Sequence, residues 1–176
     1  MLDHRFLTLT AVLCAVGAAP AAARMDHAAP ACAAPAALPA ELASWRSPTP
    51  LTAGRDRKSA AKAALTPGQA AVLTLSRTPD VRYPLRPEKP GGTVSFGGLA
   101  TFTVKEAGTW RVALGAGAWV DVVKDGKAAL SAAHGHGPDC TGVRKMVDYK
   151  LTPGSYTLQL AANAEDTLTV LVTRLP

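Results

Sequence analysis

The residues best suited to chemistry lie in one stretch, residues 134–140, which reads His-Gly-His-Gly-Pro-Asp-Cys. In an extended segment alternate side chains face the same way, so His134 and His136 could present both imidazoles to one ion. Asp139 could add an oxygen and Cys140 a sulfur, a mixed donor set that suits copper or zinc. The stretch is therefore interpreted as a site for copper, zinc or a small ligand, or else as a plain glycine-rich loop with surface histidines.

Cys140 has a competing role as one half of a disulfide. Of the three cysteines, Cys14 lies in a predicted signal peptide, and its removal leaves Cys32 and Cys140. An even number of cysteines in an oxidising compartment favours a disulfide between them. If this bond forms, Cys140 cannot be a thiolate ligand, and the predicted metal ligands are His134, His136 and Asp139.

The amino terminus has the pattern of an export signal. A short charged start is followed by an apolar run over residues 6–18 and by Pro-Ala-Ala-Ala at residues 20–23. The run is too short to span a bilayer and ends in an A-x-A cleavage site. We predict a signal peptide at residues 1–23, a periplasmic or secreted protein and no membrane span.

The chain is basic, with a formal net charge of +6. A protein exported to the periplasm meets no nucleic acid there, so the candidate anionic partners are envelope lipids, polysaccharide and acidic proteins. The basic residues are scattered along the chain, a distribution that is also typical of a solvated surface. Charge alone therefore predicts no particular partner.

The elements that must position residues 134–140 are mostly strands. Residues 24–58 are rich in Ala and Pro and are predicted as a flexible arm with one short helical turn, anchored by Trp45. Residues 59–65 favour a short helix behind Ser59. Eight segments with strand patterns and turn signals follow, at residues 69–75, 99–104, 109–114, 118–123, 128–132, 144–151, 156–161 and 167–174. This pattern predicts an all-β domain over residues 59–176, an antiparallel sandwich or jelly roll.

Two further residues are candidates for facing a ligand. Tyr83 lies in the long Pro-, Arg- and Gly-rich loop at residues 78–98, and a loop of this length is either a functional lid or poorly ordered. Asp121 lies within an apolar strand, where a carboxylate needs a partner or a function. Arg144 or Lys145 could supply that partner.

A family resemblance rests on three short patterns: Gly-Thr-Trp-Arg-Val at residues 108–112, Val-Val-Lys-Asp-Gly at 122–126 and Leu-Thr-Pro-Gly-Ser-Tyr-Thr-Leu at 151–158. They resemble bacterial pre-peptidase C-terminal domains, which implies a secreted, accessory jelly-roll module. The whole chain also resembles a family of small exported proteobacterial proteins, some of which are labelled homogentisate 1,2-dioxygenase. That label implies an iron-dependent cupin enzyme.

The residues argue against such an iron site. The acid that follows His136 is Asp139 and not the glutamate of the cupin motif, and no histidine follows His136. The Gly-x-Ser-x-Gly pattern of many hydrolases is also missing from the sequence. Three function classes follow: a non-catalytic protein that binds a small ligand or metal at the His-Gly-His loop, a structural or partner-binding envelope protein with the loop as a disulfide corner, and a dioxygenase-type or hydrolytic enzyme.

Overall fold

A computed structural model describes residue 32 and residues 34–176 of the chain. The predicted signal peptide at residues 1–23 lies outside the described residues. The described part contains a 3₁₀ helix at Ala40–Arg46, helix α1 at Arg57–Ala60, a 3₁₀ turn at Thr78–Asp80 and eleven strands. The strands are β1 (Thr49–Thr52), β2 (Ala71–Thr74), β3 (Ser76–Arg77), β4 (Phe96–Val104), β5 (Gly108–Leu114), β6 (Trp119–Lys124), β7 (Lys127–Ala128), β8 (Ser131–Gly135), β9 (Lys145–Leu151), β10 (Gly154–Asn163) and β11 (Thr167–Arg174).

The strands form two sheets that pack face to face. One sheet has six strands in the order β1-β2-β11-β5-β9-β8, and the other has five in the order β3-β4-β10-β6-β7. All strand pairings described are antiparallel except the parallel pair β1 and β2. The predicted all-β sandwich is confirmed, with three more strands than the eight segments predicted.

The core lies between the sheets because alternate strand residues point to it. In β11 the side chains of Leu168, Val170 and Val172 are buried in the central cluster, and in β10 those of Leu158 and Leu160 are buried opposite them. Each strand therefore places every second residue inside and leaves the others for the outer face of its sheet.

The amino-terminal segment covers the outer face of the six-stranded sheet. Leu42 and Trp45 of the Ala40–Arg46 helix pack on Ala113 and Leu171, so Trp45 is an anchor as predicted. Strand β1 lies within the residues predicted as a flexible arm and adds to the edge of this sheet. Its Pro50 has no N–H to donate, and an edge strand tolerates this loss.

The outer face of the five-stranded sheet is covered by α1 and by the loop that follows β3. Helix α1 begins after Asp56, whose side chain accepts a hydrogen bond from the Ser59 amide. The helix therefore starts two residues before the predicted helix at residues 59–65, and it ends at Ala60, so it is also shorter. Val81 of the loop packs against Ala60 and Leu99. Within the described residues, no helix has the length and apolar character needed to cross a membrane.

Candidate functional site

Residues 134–140 begin at the free edge of the six-stranded sheet. Strand β8 is the outermost strand there, pairs with β9, and is exposed along its whole length. His134 lies opposite Val147, a core residue, and residues directly opposite each other share one face of a sheet. His134 is therefore on the core-facing side of the sheet but beyond the cover of the other sheet, where solvent reaches it.

The predicted disulfide between Cys32 and Cys140 is confirmed. The two sulfur atoms are 2.12 Å apart and the two Cα atoms 5.4 Å apart. Beside the bond, the Ala36 amide donates to the Cys140 carbonyl at 3.2 Å. Cys140 is therefore not a thiolate ligand, and the bond ties the amino-terminal segment to the loop after β8.

The loop after β8 is held by its own hydrogen bonds. The Thr141 hydroxyl donates to the Pro138 carbonyl at 2.6 Å and accepts from the Val143 amide at 3.2 Å. The Nδ1 atom of His136 lies 3.0 Å from the Arg144 carbonyl oxygen. A carbonyl only accepts, so Nδ1 carries a proton and the neutral ring has a bare Nε2 atom.

Both histidines line one shallow cavity, which we call the basic depression. Its volume is about 240 Å³. The lining residues come from the end of β8, the start of β9 and the β5–β6 loop, and they are Gly117, His134, Gly135, His136, Arg144 and Lys145. His134 and His136 therefore border the same cavity.

Asp139 does not line the basic depression. It borders a separate cavity of about 360 Å³ beside the disulfide, which includes His136 and Arg144 but not His134. Among residue 32 and residues 34–176, no group of three or more His, Cys, Asp and Glu side chains is placed to hold a metal ion. The metal site of His134, His136 and Asp139 stays a prediction, because Asp139 does not line the cavity that the two histidines share.

Lys145 lines the basic depression, and two contacts hold its side chain. Its ammonium donates to the Ala118 carbonyl at 2.8 Å and lies 5.7 Å from the centre of the Trp119 ring. Burial lowers the pKa of Lys145, the charge of Lys89 lowers it further, and Asp121 opposes both effects.

Asp121 lies on the outer face of the five-stranded sheet, under the loop after β3. The Gln159 side chain is fully buried beside it and donates from Nε2 to Asp121 Oδ2 at 3.3 Å. Burial raises the pKa of Asp121, and the nearby N–H groups of Trp119 and Gln159 lower it in part. The Trp119 indole N–H is buried and favours the charged carboxylate, although it makes no well-aligned hydrogen bond within the described part of the chain.

Gln159 also fastens the loop to the sheet. Its Oε1 atom accepts from the Leu85 amide at 3.0 Å, and its Nε2 atom donates to the Leu85 carbonyl at 3.3 Å. The Tyr83 hydroxyl donates to the Leu160 carbonyl at 2.9 Å, and burial raises the pKa of Tyr83 to about 12. Tyr83 and Asp121, both predicted to face a ligand, therefore lie where the loop meets the sheet.

No known family model matches the chain, and no curated protein matches its sequence. The resemblance to pre-peptidase C-terminal domains and to the exported proteobacterial family stays a prediction.

Sequence patterns gave no indication of a role for Gln159, and they indicated a different role for Arg144 and Lys145. Gln159 stands between Leu158 and Leu160 in an alternating strand, and a polar residue on the outer face of a strand is ordinarily solvated. Arg144 and Lys145 were predicted as partners of Asp121, but both line the basic depression, and only Lys145 is close enough to influence Asp121. The burial of Gln159 depends on a loop that begins more than sixty residues earlier, so local sequence carries no signal of it.

We expect the Asp121→Asn variant to be more stable than the wild type at pH 7, by less than about 1 kcal/mol because solvent screens this half-buried carboxylate. The pKa of Asp121 is higher in the folded protein than its ordinary 3.8, so ionisation opposes folding as the pH rises through that raised pKa. The gain should vanish below the ordinary pKa, where both folded and unfolded chains are protonated. Urea unfolding at a series of pH values measures this difference.

Asp148 supplies the matched control for this substitution. Its two carboxylate oxygens accept from Arg111 at 2.8 and 2.9 Å, so the Asp148→Asn variant should lose about 1 to 2 kcal/mol at pH 7. A loss of stability in both variants at pH 7 would contradict the assignment of Asp121 as a destabilised carboxylate.

Proposed function

We propose that this protein is an exported, non-catalytic β-sandwich that binds a small anionic ligand in the basic depression. One observation carries the proposal: the depression is lined by four nitrogen-bearing side chains and, within the described residues, by no carboxylate. The ligand chemistry it suits is a carboxylate or phosphate group on a small molecule or on an acidic envelope component.

Charge decides between an anion and a metal ion at this site. Arg144 is always protonated, and its guanidinium is suited to carboxylate and phosphate groups. A unit charge 4 Å away contributes about 1 kcal/mol in water and more where solvent is partly excluded. Arg144 and Lys145 together therefore attract an anion and repel copper or zinc, although the bare Nε2 atom of His136 has the orientation of a metal ligand.

The hydrogen bond of His136 limits what this ring can do for an anion. Its Nδ1 proton is already donated to the Arg144 carbonyl, so the Nε2 atom of the neutral ring accepts and does not donate. The donors to a bound anion are therefore Arg144 and Lys145.

The Arg144→Gln variant is expected to bind succinate and glycerol 3-phosphate about tenfold more weakly than the wild type, because the strongest donor to the anion is lost. Titration calorimetry measures this change. The Arg86→Gln variant is the control, since Arg86 is exposed on the loop over the other sheet.

Two outcomes would overturn the proposal. Stoichiometric copper or zinc binding that is lost in His134→Ala/His136→Ala would assign the loop to a metal. Absence of both anion and metal binding would leave the second candidate, a structural envelope protein with a disulfide corner, which the Cys32–Cys140 bond and the Ala36–Cys140 hydrogen bond favour.

Export is part of this proposal and rests on two observations. Residues 1–23 have the pattern of a cleaved signal, and the disulfide is typical of an oxidising compartment. Amino-terminal sequencing of the protein from its host should find Arg24 as the first residue; an intact amino terminus would contradict it.

A further inference from the structure

A third cavity, which we call the end cleft, opens at one end of the sandwich. Its volume is about 580 Å³, more than twice that of the basic depression and within the range of small-molecule sites. Its lining residues belong to the turn at residues 64–67, to β4 and the turn after it, to β5 and to the end of β11. It shares no lining residue with the basic depression.

The end cleft exists because the chain crosses from one sheet to the other above it. The Leu65 amide donates to the Thr101 carbonyl of β4 at 2.7 Å, and the Gly68 amide donates to the Val172 carbonyl of β11 at 2.8 Å. Between these bonds, Pro67 has no N–H to donate and the crossing segment forms one lip of the cleft. The turn between β4 and β5 forms the opposite lip.

The inner wall of the end cleft is apolar. Leu65, Phe102 and Trp110 line it and belong to the central core. The Trp110 indole N–H donates to the Glu106 carbonyl at 3.2 Å, so its polar atom is satisfied by the protein. Leu65, Phe102 and Trp110 are 6%, 2% and 5% exposed, so each offers a small apolar or aromatic surface at the inner end of the cleft.

The rim of the end cleft carries an excess of positive charge. Lys105 and Arg174 face one acidic residue, Glu106, whose Oε2 atom lies 3.8 Å from Arg174 Nη2. Both partners of this pair are largely exposed, so it contributes little and can open. Lys105 makes no ion pair with any residue that the structure describes, which leaves one net positive charge at the rim.

From this combination we infer that the end cleft binds a small monocarboxylate with an apolar body. The apolar body lies against Leu65, Phe102 and Trp110, and the carboxylate lies between Lys105 and Arg174. This site is independent of the basic depression: its ligand needs an apolar body, whereas a ligand of the basic depression needs only an anionic group.

The test uses the mature protein and two probes that differ in charge, octanoate and octanamide. The indole N–H signal of Trp110 in a ¹H–¹⁵N NMR spectrum, assigned with a Trp110→Phe variant, reports on the cleft directly. We expect octanoate to shift this signal with a dissociation constant on the order of 1 mM or tighter and octanamide to bind about tenfold more weakly.

Charge removal at the rim gives the second arm. Lys105→Gln and Arg174→Gln should each weaken octanoate binding about fivefold and leave octanamide unchanged, because both side chains are at the surface and the fold does not depend on them. Arg144→Gln should leave octanoate binding unchanged. The Arg144→Gln variant therefore distinguishes a failure of the end-cleft inference from a failure of the proposed function.

Three results would overturn the inference. One is an unmoved Trp110 signal at about 10 mM octanoate. Another is equal affinity for octanoate and octanamide, which would remove the role of the rim charges. The third is loss of octanoate binding in Arg144→Gln, which would place the carboxylate in the basic depression.

Discussion

Removal of the Cys32–Cys140 disulfide is expected to lower the free energy of unfolding by about 4 to 5 kcal/mol. The two cysteines are 108 residues apart in sequence, so the bond closes a loop that contains most of the domain. In the chain-entropy model, a cross-link over such a distance removes a large part of the freedom of the unfolded chain. Urea unfolding of the Cys32→Ser/Cys140→Ser variant against the oxidised wild type measures the loss.

Reductant supplies the control for this prediction. It should destabilise the wild type by a similar amount and leave the double variant unchanged, and the intact mass of the wild type should rise by about two hydrogens on reduction. A difference below about 1 kcal/mol between oxidised wild type and double variant would show that the unfolded chain gains little freedom from cleavage. The bond would then act locally, by holding residues 32–36 beside the loop.

The second large effect is expected at Gln159, where the Gln159→Ala variant should lose about 2 to 4 kcal/mol. This side chain is fully buried and makes three hydrogen bonds, two with the Leu85 backbone and one with Asp121. Truncation to alanine leaves the Leu85 amide and carbonyl without these partners and opens a cavity under the loop. Urea unfolding measures the loss of stability.

Amide hydrogen exchange separates release of the loop from general loss of stability. The Leu85 amide should lose its protection in Gln159→Ala, while amides in β11 change only with global stability. Thr157→Ala is the matched control on the same strand and the same outer face, and it should cost less than about 0.5 kcal/mol. Unchanged protection of Leu85 would mean that the Tyr83–Leu160 hydrogen bond is enough to hold the loop.

Neither large effect depends on the proposed ligands, but each bears on a candidate site. The disulfide borders the cavity that contains Asp139, and it adjoins the loop that carries His136. Gln159 holds the loop over Asp121. The charge of Asp121 in turn raises the pKa of Lys145, which lines the basic depression. A ligand titration of the Cys32→Ser/Cys140→Ser and Gln159→Ala variants therefore tests whether ligand binding in the basic depression depends on the disulfide and on the docked loop.

Much of the sandwich follows from local patterns. The alternation in residues 167–174 places Leu168, Val170 and Val172 on one face, and the structure forms β11 over the same residues. The single predicted strand at residues 128–132 is two strands in the structure: β7 at Lys127–Ala128, which pairs with β6, and β8 at Ser131–Gly135, which pairs with β9 in the other sheet. Both β7 and β8 are exposed along their length, so no buried alternation marks their boundaries. Strand β1 was missed because Thr-Pro-Leu-Thr is short and becomes a strand only by pairing with β2.

The all-β class and the pairing of Cys32 with Cys140 could be predicted from the sequence. Periodicity and cysteine number are properties of the chain before it folds, so they can be read without knowing which strands are neighbours. The convergence of side chains could not be predicted in this way: His134 and His136 share a cavity with Arg144 and Lys145, whereas Asp139 borders a separate cavity. Strand pairing and loop docking join residues far apart in sequence, and this long-range geometry is the reason that we propose an anion, and not a metal ion, as the ligand at the histidines.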